Sequence, residues 1–289
     1  MQGWRKKMED SHISSLNISK NVHLFGVFDG HGGKEVAQYV KLHFKDRLLA
    51  NNNYINKEYK MALIETFLEM DYLISQPKGI EELKQLNLKF KDEDETNKDN
   101  LKYDILSSFM SKATSQENIG LFTGCTATVC LLDFNNNKAY FANAGDSRIV
   151  TCKKGVAYPM TIDHKPDLES EKNRIYKADG WVTQGRVKGN LNLSRSLGDL
   201  EYKQNKSIKP EEQIITALPD VVVEDRLNEV EYIVLGCDGI WECVSNQEAI
   251  NFVKEKIDNN INSSKISNVI GDLLDNICAK EVSNGKNFI

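Results

Sequence analysis

Three times in this chain an apolar run stops on an aspartate with a glycine beside it: FGVFDGHGG at 25–33, NAGDSR at 143–148 and VLGCDGIWE at 234–242. One Asp-Gly pair is an ordinary turn. Three at strand ends constrain the fold much more, because charged strand ends are tolerable only where they share water or a counter-charge. Glycine lets backbone crowd around a ligand and aspartate supplies a short oxygen donor. Hard cations such as Mg²⁺ and Mn²⁺ take several such oxygens together with waters. With Glu9 and Asp10 of the segment MED, the pattern predicts a two-metal centre built from Asp29, Asp146, Asp238 and this acidic pair. Taken singly each residue has a plainer reading. Asp29 is a turn residue, His31 a hydrogen-bonded structural histidine, and Asp146 a turn cap paired with Arg148. Glu9 and Asp10 then form an exposed acidic edge offsetting Arg5, Lys6 and Lys7. All of these plainer readings must hold at once to remove the site.

Composition narrows the class. In 289 residues, 40% hydrophobic and 27% charged, there is enough apolar material for one large folded domain. A net charge of −5 argues against a nucleic-acid partner, which calls for a basic face, and suits a protein that gathers carboxylates around cations. The six cysteines show no CxxC pair and mostly sit in apolar stretches, so they read as buried small hydrophobes in a reducing compartment. The first residues, MQGWRKKMEDSH, contain no apolar core of a leader, and no apolar run approaches a membrane span. The expectation is a cytosolic or nuclear monomer without a membrane partner.

Strand and helix signals alternate along the chain. VHLFGVF at 22–28 reads as a strand, and 34–50 as a helix with Val36, Tyr39, Val40 and Phe44 on one face. Residues 58–75 read as a second helix, its inner face set by Met61, Ile64, Phe67, Leu68 and Tyr72. The charged stretch 89–100 predicts a solvated loop, and 101–114 resume a helical period. CTATVCLLDF and AYFANAGDSRIVTC, joined by NNNK, predict a hairpin, followed by a short strand at GVAYPMT. KPDLESEKNRIYKADG predicts a helix ended by Gly180, and two amphipathic helices follow the last Asp-Gly. No repeat or proline-rich linker divides the chain.

The segments QGWRKKMEDSH, FGVFDGHGG, TGCTATV, ANAGDSR, DHKPD, SRSLGD, ITALPDV and VLGCDGIWE also follow one another in an order that resembles the metal-dependent protein phosphatases of the protein phosphatase 2C family. The resemblance runs from residue 2 to about residue 280. It implies an α+β fold: a four-layer α-β-β-α sandwich, with two antiparallel sheets flanked by helices. It implies hydrolysis of phosphoserine and phosphothreonine in phosphoproteins at two Mg²⁺ or Mn²⁺ ions. In that scheme Asp29 bridges both metals, the Gly30 carbonyl and Glu9 hold one, and Asp238 holds the other. Asp146 matches a weaker third-metal position, and Asp10 and Glu242 stand behind the ligands. Arg5 clamps the substrate phosphate with a bidentate fork. A metal-activated water attacks phosphorus, and His31 protonates the departing alkoxide.

The match also has departures. Family members carry a strand ahead of the MQGWR segment. They close with a Gly-x-Asp-Asn-Met-Thr strand that supplies a further carboxylate, and no aspartate follows Asp275 here. Glu242 stands where the family has aspartate after the DGIW tryptophan, and 76–118 reads as a variable insertion. A second reading is therefore a catalytically weak phosphatase-like domain, or a fragment, that acts by binding a partner. Segments 76–118 and 200–213 are the expected seats of substrate specificity.

Overall fold

The computed structural model of the protein describes residues 2–5, 7–95, 119–259 and 265–278. Its first sheet is built from β1 (Ser11–Ser19), β2 (Val22–Phe28), β5 (Ala127–Asp133), β6 (Lys138–Ala144) and β12 (Asp220–Glu224), in that spatial order. Every pairing in it is antiparallel. Between these in sequence lie the short strands β3 (Gly30–His31), β4 (Gly124–Cys125), β9 (Val182–Thr183), β10 (Arg186–Val187) and β11 (Leu197–Gly198). A second sheet joins β7 (Arg148–Lys153), β8 (Val156–Pro159) and β13 (Tyr232–Gly236) in the order β13-β7-β8.

Alternation along the strands produces the layers. In β2, Val22, Leu24 and Phe28 face a core shared with α1 (Glu35–Ala50) and the helix Tyr59–Ser75, while Phe25 faces the second sheet. In β5, Val129 and Leu131 join the helix-side core and Cys130 the sheet-to-sheet core. The second sheet divides the same way: Ile149 and Ile233 point inward, whereas Val150, Cys152 and Val234 meet the helices Asn246–Asn259 and Ile266–Ile277. The order helices, sheet, sheet, helices is the expected four-layer α+β sandwich.

Several local expectations shift. The helix Tyr59–Ser75 buries Tyr59, Ala62, Leu63, Thr66, Phe67, Met70 and Ile74, while Met61 and Tyr72 are exposed. The buried face is rotated from the one expected because two small residues lie inside and two large apolar ones outside. Thr66 can be buried there since its hydroxyl donates to the Ala62 carbonyl at 2.7 Å. The charged stretch does not begin a loop at 89: a helix runs Pro77–Glu95, with Leu83 fully buried against the helix-side core. The expected helix at 101–114 lies outside the described residues, as does the segment after 278. The helix Glu169–Lys177 ends as expected near 180, but Asp179 takes the left-handed conformation, φ 61°, not Gly180. Glycine suits 180 for another reason: a Cβ there would press on the Ile175 side chain at 2.9 Å and on the Ile175 carbonyl at 3.0 Å.

Candidate metal centre

Strand register brings the acidic ends together. Ser11 of β1 pairs with Phe28 of β2, so Glu9–Asp10 and Asp29 are the next residues on adjoining strands. Ala127 pairs with Ala144, which places Thr126 beside the loop Gly145–Asp146–Ser147. Thr126 N–H donates to the Asp29 carbonyl at 2.9 Å, Asp29 N–H to the Thr126 hydroxyl at 3.2 Å, and that hydroxyl lies 2.7 Å from Ser147 Oγ. In the second sheet Gly236 pairs with Arg148, so Cys237 and Asp238 emerge beside the same loop. Four chain segments thus deliver carboxylates to one rim of the sandwich.

Ligand atoms of Asp10, Asp29 and Cys237 all lie within 4.8 Å of one another. Asp10, expected to stand behind the ligands, has its carboxylate beside that of Asp29 and shares a hydrogen bond with it. Burial, followed by the charges of Asp10, Asp238 and Asp146, pushes Asp29 up to about 9. Burial, then Asp146 and Glu242, raises Asp238 to about 6. Burial, then Glu35, raises Glu9. So many half-buried acids raising one another is a site short of positive charge, which a divalent cation would supply. The donors favour a hard ion. Burial and the neighbouring acids push the Cys237 thiol well up, so it remains a thiol and points its hydrogen at Asp10 Oδ2, 3.8 Å away, while the carboxylates offer the oxygens.

Gly30, expected to offer its carbonyl to a metal, has a steric role. A side chain there would collide with the carbonyl of Glu9, so the absence of Cβ is what lets the 9–10 segment lie against Asp29–His31.

The remaining expected residues are distributed around this core. His31 Nε2 lies 2.7 Å from Asp199 Oδ2. Burial lowers its proton affinity, but Asp199 followed by Asp146 and Glu9 raises it further, so His31 is held above its ordinary value. Arg5 is exposed at the rim, and its charge lowers the proton affinity of Glu9 and Asp238. Glu242 is exposed; its N–H donates to the Asp238 carbonyl at 2.8 Å, and its carboxylate acts on the Asp238 carboxyl by charge. Asp146 is buried and does not pair with Arg148, which instead forks onto Asp163 at 2.9 and 2.7 Å and onto Asn246 at 2.7 Å. Its partner is the ammonium of Lys165, 2.5 Å away, which also feels Asp238 and Glu242. The corner expected to take a third metal therefore already contains a protein cation.

Sequence reasoning missed three groups here: Lys165, Asp199, and the network that sets their loops. Glu171 is fully buried and accepts from Arg195, Arg174 and Ser194. Arg195 continues to Asp220 Oδ1 at 2.9 Å, and His164 joins Asp220 Oδ2 to the N–H of Gly145. The segments DHKPD and SRSLGD and the loop carrying Asp146 are thereby tied to one another. Their polar residues had been visible as motifs, but only contact reveals which acid meets which base.

Comparison with known proteins gives the family and the fold. The family described as Protein phosphatase 2C matches residues 1–87 and 75–284. Probable protein phosphatase 2C 3 of Paramecium tetraurelia is 43% identical over 286 residues, covering 99% of this chain and 86% of that protein. Probable protein phosphatase 2C 11 of Oryza sativa subsp. japonica is 38% identical over 300 residues, covering 99% and 80%. Among solved structures, a phosphatase from a pathogenic strain of Toxoplasma gondii superposes with TM-score 0.69 at 19% identity, covering 96% of this chain and 86% of that one. A C. elegans sex determining protein gives TM-score 0.66 at 21% identity, covering 96% and 58%. These two establish the likeness of fold.

Proposed function

The chain belongs to the protein phosphatase 2C family of metal-dependent protein serine/threonine phosphatases, and from that premise we propose that Glu9, Asp29, Gly30 and Asp238 hold its divalent cations, with Asp10 behind them beside Asp29. The observation that carries the assignment is the convergence of buried, mutually repelling acids, with Asp29 raised to about 9 at their centre. Two Mg²⁺ or Mn²⁺ ions would offset that charge and supply the Lewis acidity that activates water and the phosphoryl group. Asp29 would serve both ions, a reading supported by the charges of Asp10 and Asp238 that both act on it. A third, weaker ion at Asp146 would have to displace Lys165.

The chain's own groups do the rest. Arg5, exposed at the rim, offers a planar fork to the phosphate of the incoming phosphoserine or phosphothreonine. His31, held by Asp199 beside the acids, gives its proton to the leaving oxygen. Glu242 lends negative charge near Asp238. The partner-binding alternative has no observation in its favour, since Arg5, Glu9, Asp29, His31 and Asp238 are all retained. The substrates of this reading are phosphoproteins, and six unpaired cysteines suit a reducing cytosolic or nuclear setting.

The test is turnover of a phosphoserine peptide with Mn²⁺, beside an Asp29→Asn control. Metal-dependent phosphate release by the native chain, lost on addition of a chelator and in the control, is expected. Equal activity of a folded Asp29→Asn protein would overturn the ligand assignment.

A further inference from the structure

The aspartate that ends SRSLGD was given no role by the motif order, yet it is built as carefully as the metal ligands. Asp199 is buried and adopts a left-handed backbone, φ 48° and ψ 42°. Its N–H donates to the Thr123 carbonyl at 3.0 Å. Oδ2 accepts from the Ser196 hydroxyl at 2.5 Å and lies 2.7 Å from His31 Nε2. The segment behind it is clamped to the helix Tyr59–Ser75: Asp71 Oδ1 accepts from the N–H of Gly198 at 2.8 Å and from Lys203 Nζ at 2.7 Å. Lys203 Nζ also donates to the Ser196 carbonyl at 2.8 Å. Opposite, Gly124 leaves the space in which the pair meets. A Cβ there would stand 2.6 Å from His31 Nε2 and against the Asp199 carboxylate. Backbone strain, two clamps and a reserved gap all converge on one contact.

We propose that Asp199 is the positioning residue for His31: it accepts the Nε2 hydrogen, fixes the ring, and leaves Nδ1 as the nitrogen that delivers a proton to the leaving alkoxide. The inference rests on the reading of His31 as the proton donor. In the step, water's oxygen bonds to phosphorus as that water gives one proton to solvent, the P–O ester bond breaks, and its electron pair goes to the serine or threonine oxygen. That oxygen takes the Nδ1 proton, and the ring is reprotonated from solvent. A ring without its carboxylate rotates, and its proton is no longer aimed at the bond that breaks.

The experiment is a double-mutant cycle of His31→Gln and Asp199→Gly on two substrates, a phosphoserine peptide and p-nitrophenyl phosphate. Glycine removes the acceptor while keeping the left-handed backbone at no steric cost. The peptide needs a protonated leaving group and nitrophenolate does not. Each single variant is expected to lose kcat on the peptide far more than on p-nitrophenyl phosphate, by a factor on the order of 10²–10⁴. The double variant should lose no more than His31→Gln alone. Asp199→Asn, which keeps an acceptor oxygen and is at home in the same backbone region, should recover part of the loss, and it carries the cycle if the glycine variant does not fold. If His31→Gln shows no preference between substrates, the proton-donor reading falls and the inference with it. If His31→Gln is selective but Asp199→Gly is unselective, or its loss adds to that of His31→Gln, Asp199 is not the positioning group.

Discussion

At Asp29 charge repulsion is held in check only by protons or cations. Its ordinary value of 3.8 is raised to about 9 in the folded chain, first by burial and then by Asp10, Asp238 and Asp146. Between those values the metal-free folded protein binds a proton that the unfolded chain has released, so its stability falls as pH rises. Asp29→Asn should abolish metal-dependent turnover while raising the melting temperature of the metal-free protein at pH 8 and flattening its slope across pH 5–8, measured by differential scanning calorimetry; a variant less stable than the parent at pH 8 would contradict this account. Lys165 gives a second residue-scale outcome. Its ammonium bonds Asp146 and feels Asp238 and Glu242, so a divalent ion at that corner must displace it. Two charges about 4 Å apart near a protein surface interact by about 4 kcal/mol. Lys165→Gln should therefore tighten Mn²⁺ binding at this corner by about tenfold or more, read by calorimetric titration or by the loss of free-Mn²⁺ paramagnetic resonance signal.

Among the elements, the helix Glu169–Lys177 contributes less through apolar burial than through Glu171, which meets Arg174 and Arg195 inside the protein. Burial pushes Glu171 up, but the Arg195 hydrogen bonds and both guanidinium charges outweigh it and hold the carboxyl down at about 2. The stability from this depressed acid is present above its ordinary value of 4.5 and is lost as pH falls toward 2. Removing the charge leaves the buried Arg174 without its acidic partner and Arg195 with Asp220 alone, a loss of about 3–5 kcal/mol. Glu171→Gln should unfold at correspondingly lower denaturant at pH 7, and its deficit relative to the parent should shrink at pH 3. An unchanged deficit at pH 3 would mean that packing, not charge, carries the effect. The same element ties DHKPD to SRSLGD, so its loosening should reach Asp146 and Asp199 before it reaches the sheets. The helix Pro77–Glu95 works differently: Leu83 anchors it in the core, and Asn87 bonds Glu35 at 2.6 Å beside the acids, so this part of the expected 76–118 insertion packs on the body of the protein.

For the whole molecule, the two sheets are frames that aim their ends at one rim, and cations are the natural complement of what gathers there. Saturation of one such site at 100 times its Kd stabilises by about 2.7 kcal/mol, which for a chain of this size raises Tm by about 4–5 °C. Mg²⁺ or Mn²⁺ should produce that shift in a thermal melt, a chelator should reverse it, and Asp29→Asn should lack most of it; an equal shift in the variant would place the ions elsewhere. How much of this was legible in the chain follows from range. Local alternation in VHLFGVF and CTATVCLLDF, and glycine beside Asp29, Asp146 and Asp238, are properties of a few neighbouring residues, and strand ends, turns and ligand candidates were readable from them. Motif order extended that reading to the four-layer sandwich. The buried face of Tyr59–Ser75 was not readable, because Ala62 and Thr66 go inside only when a neighbouring layer leaves room for small side chains. Nor was the partner of any charged group. Asp146 chose Lys165 over Arg148, Asp10 came into contact with Asp29, and His31 met Asp199, a pair 168 residues apart. Pairing between distant charges depends on where register and packing set them down, to within an ångström, and that is a decision of the tertiary structure.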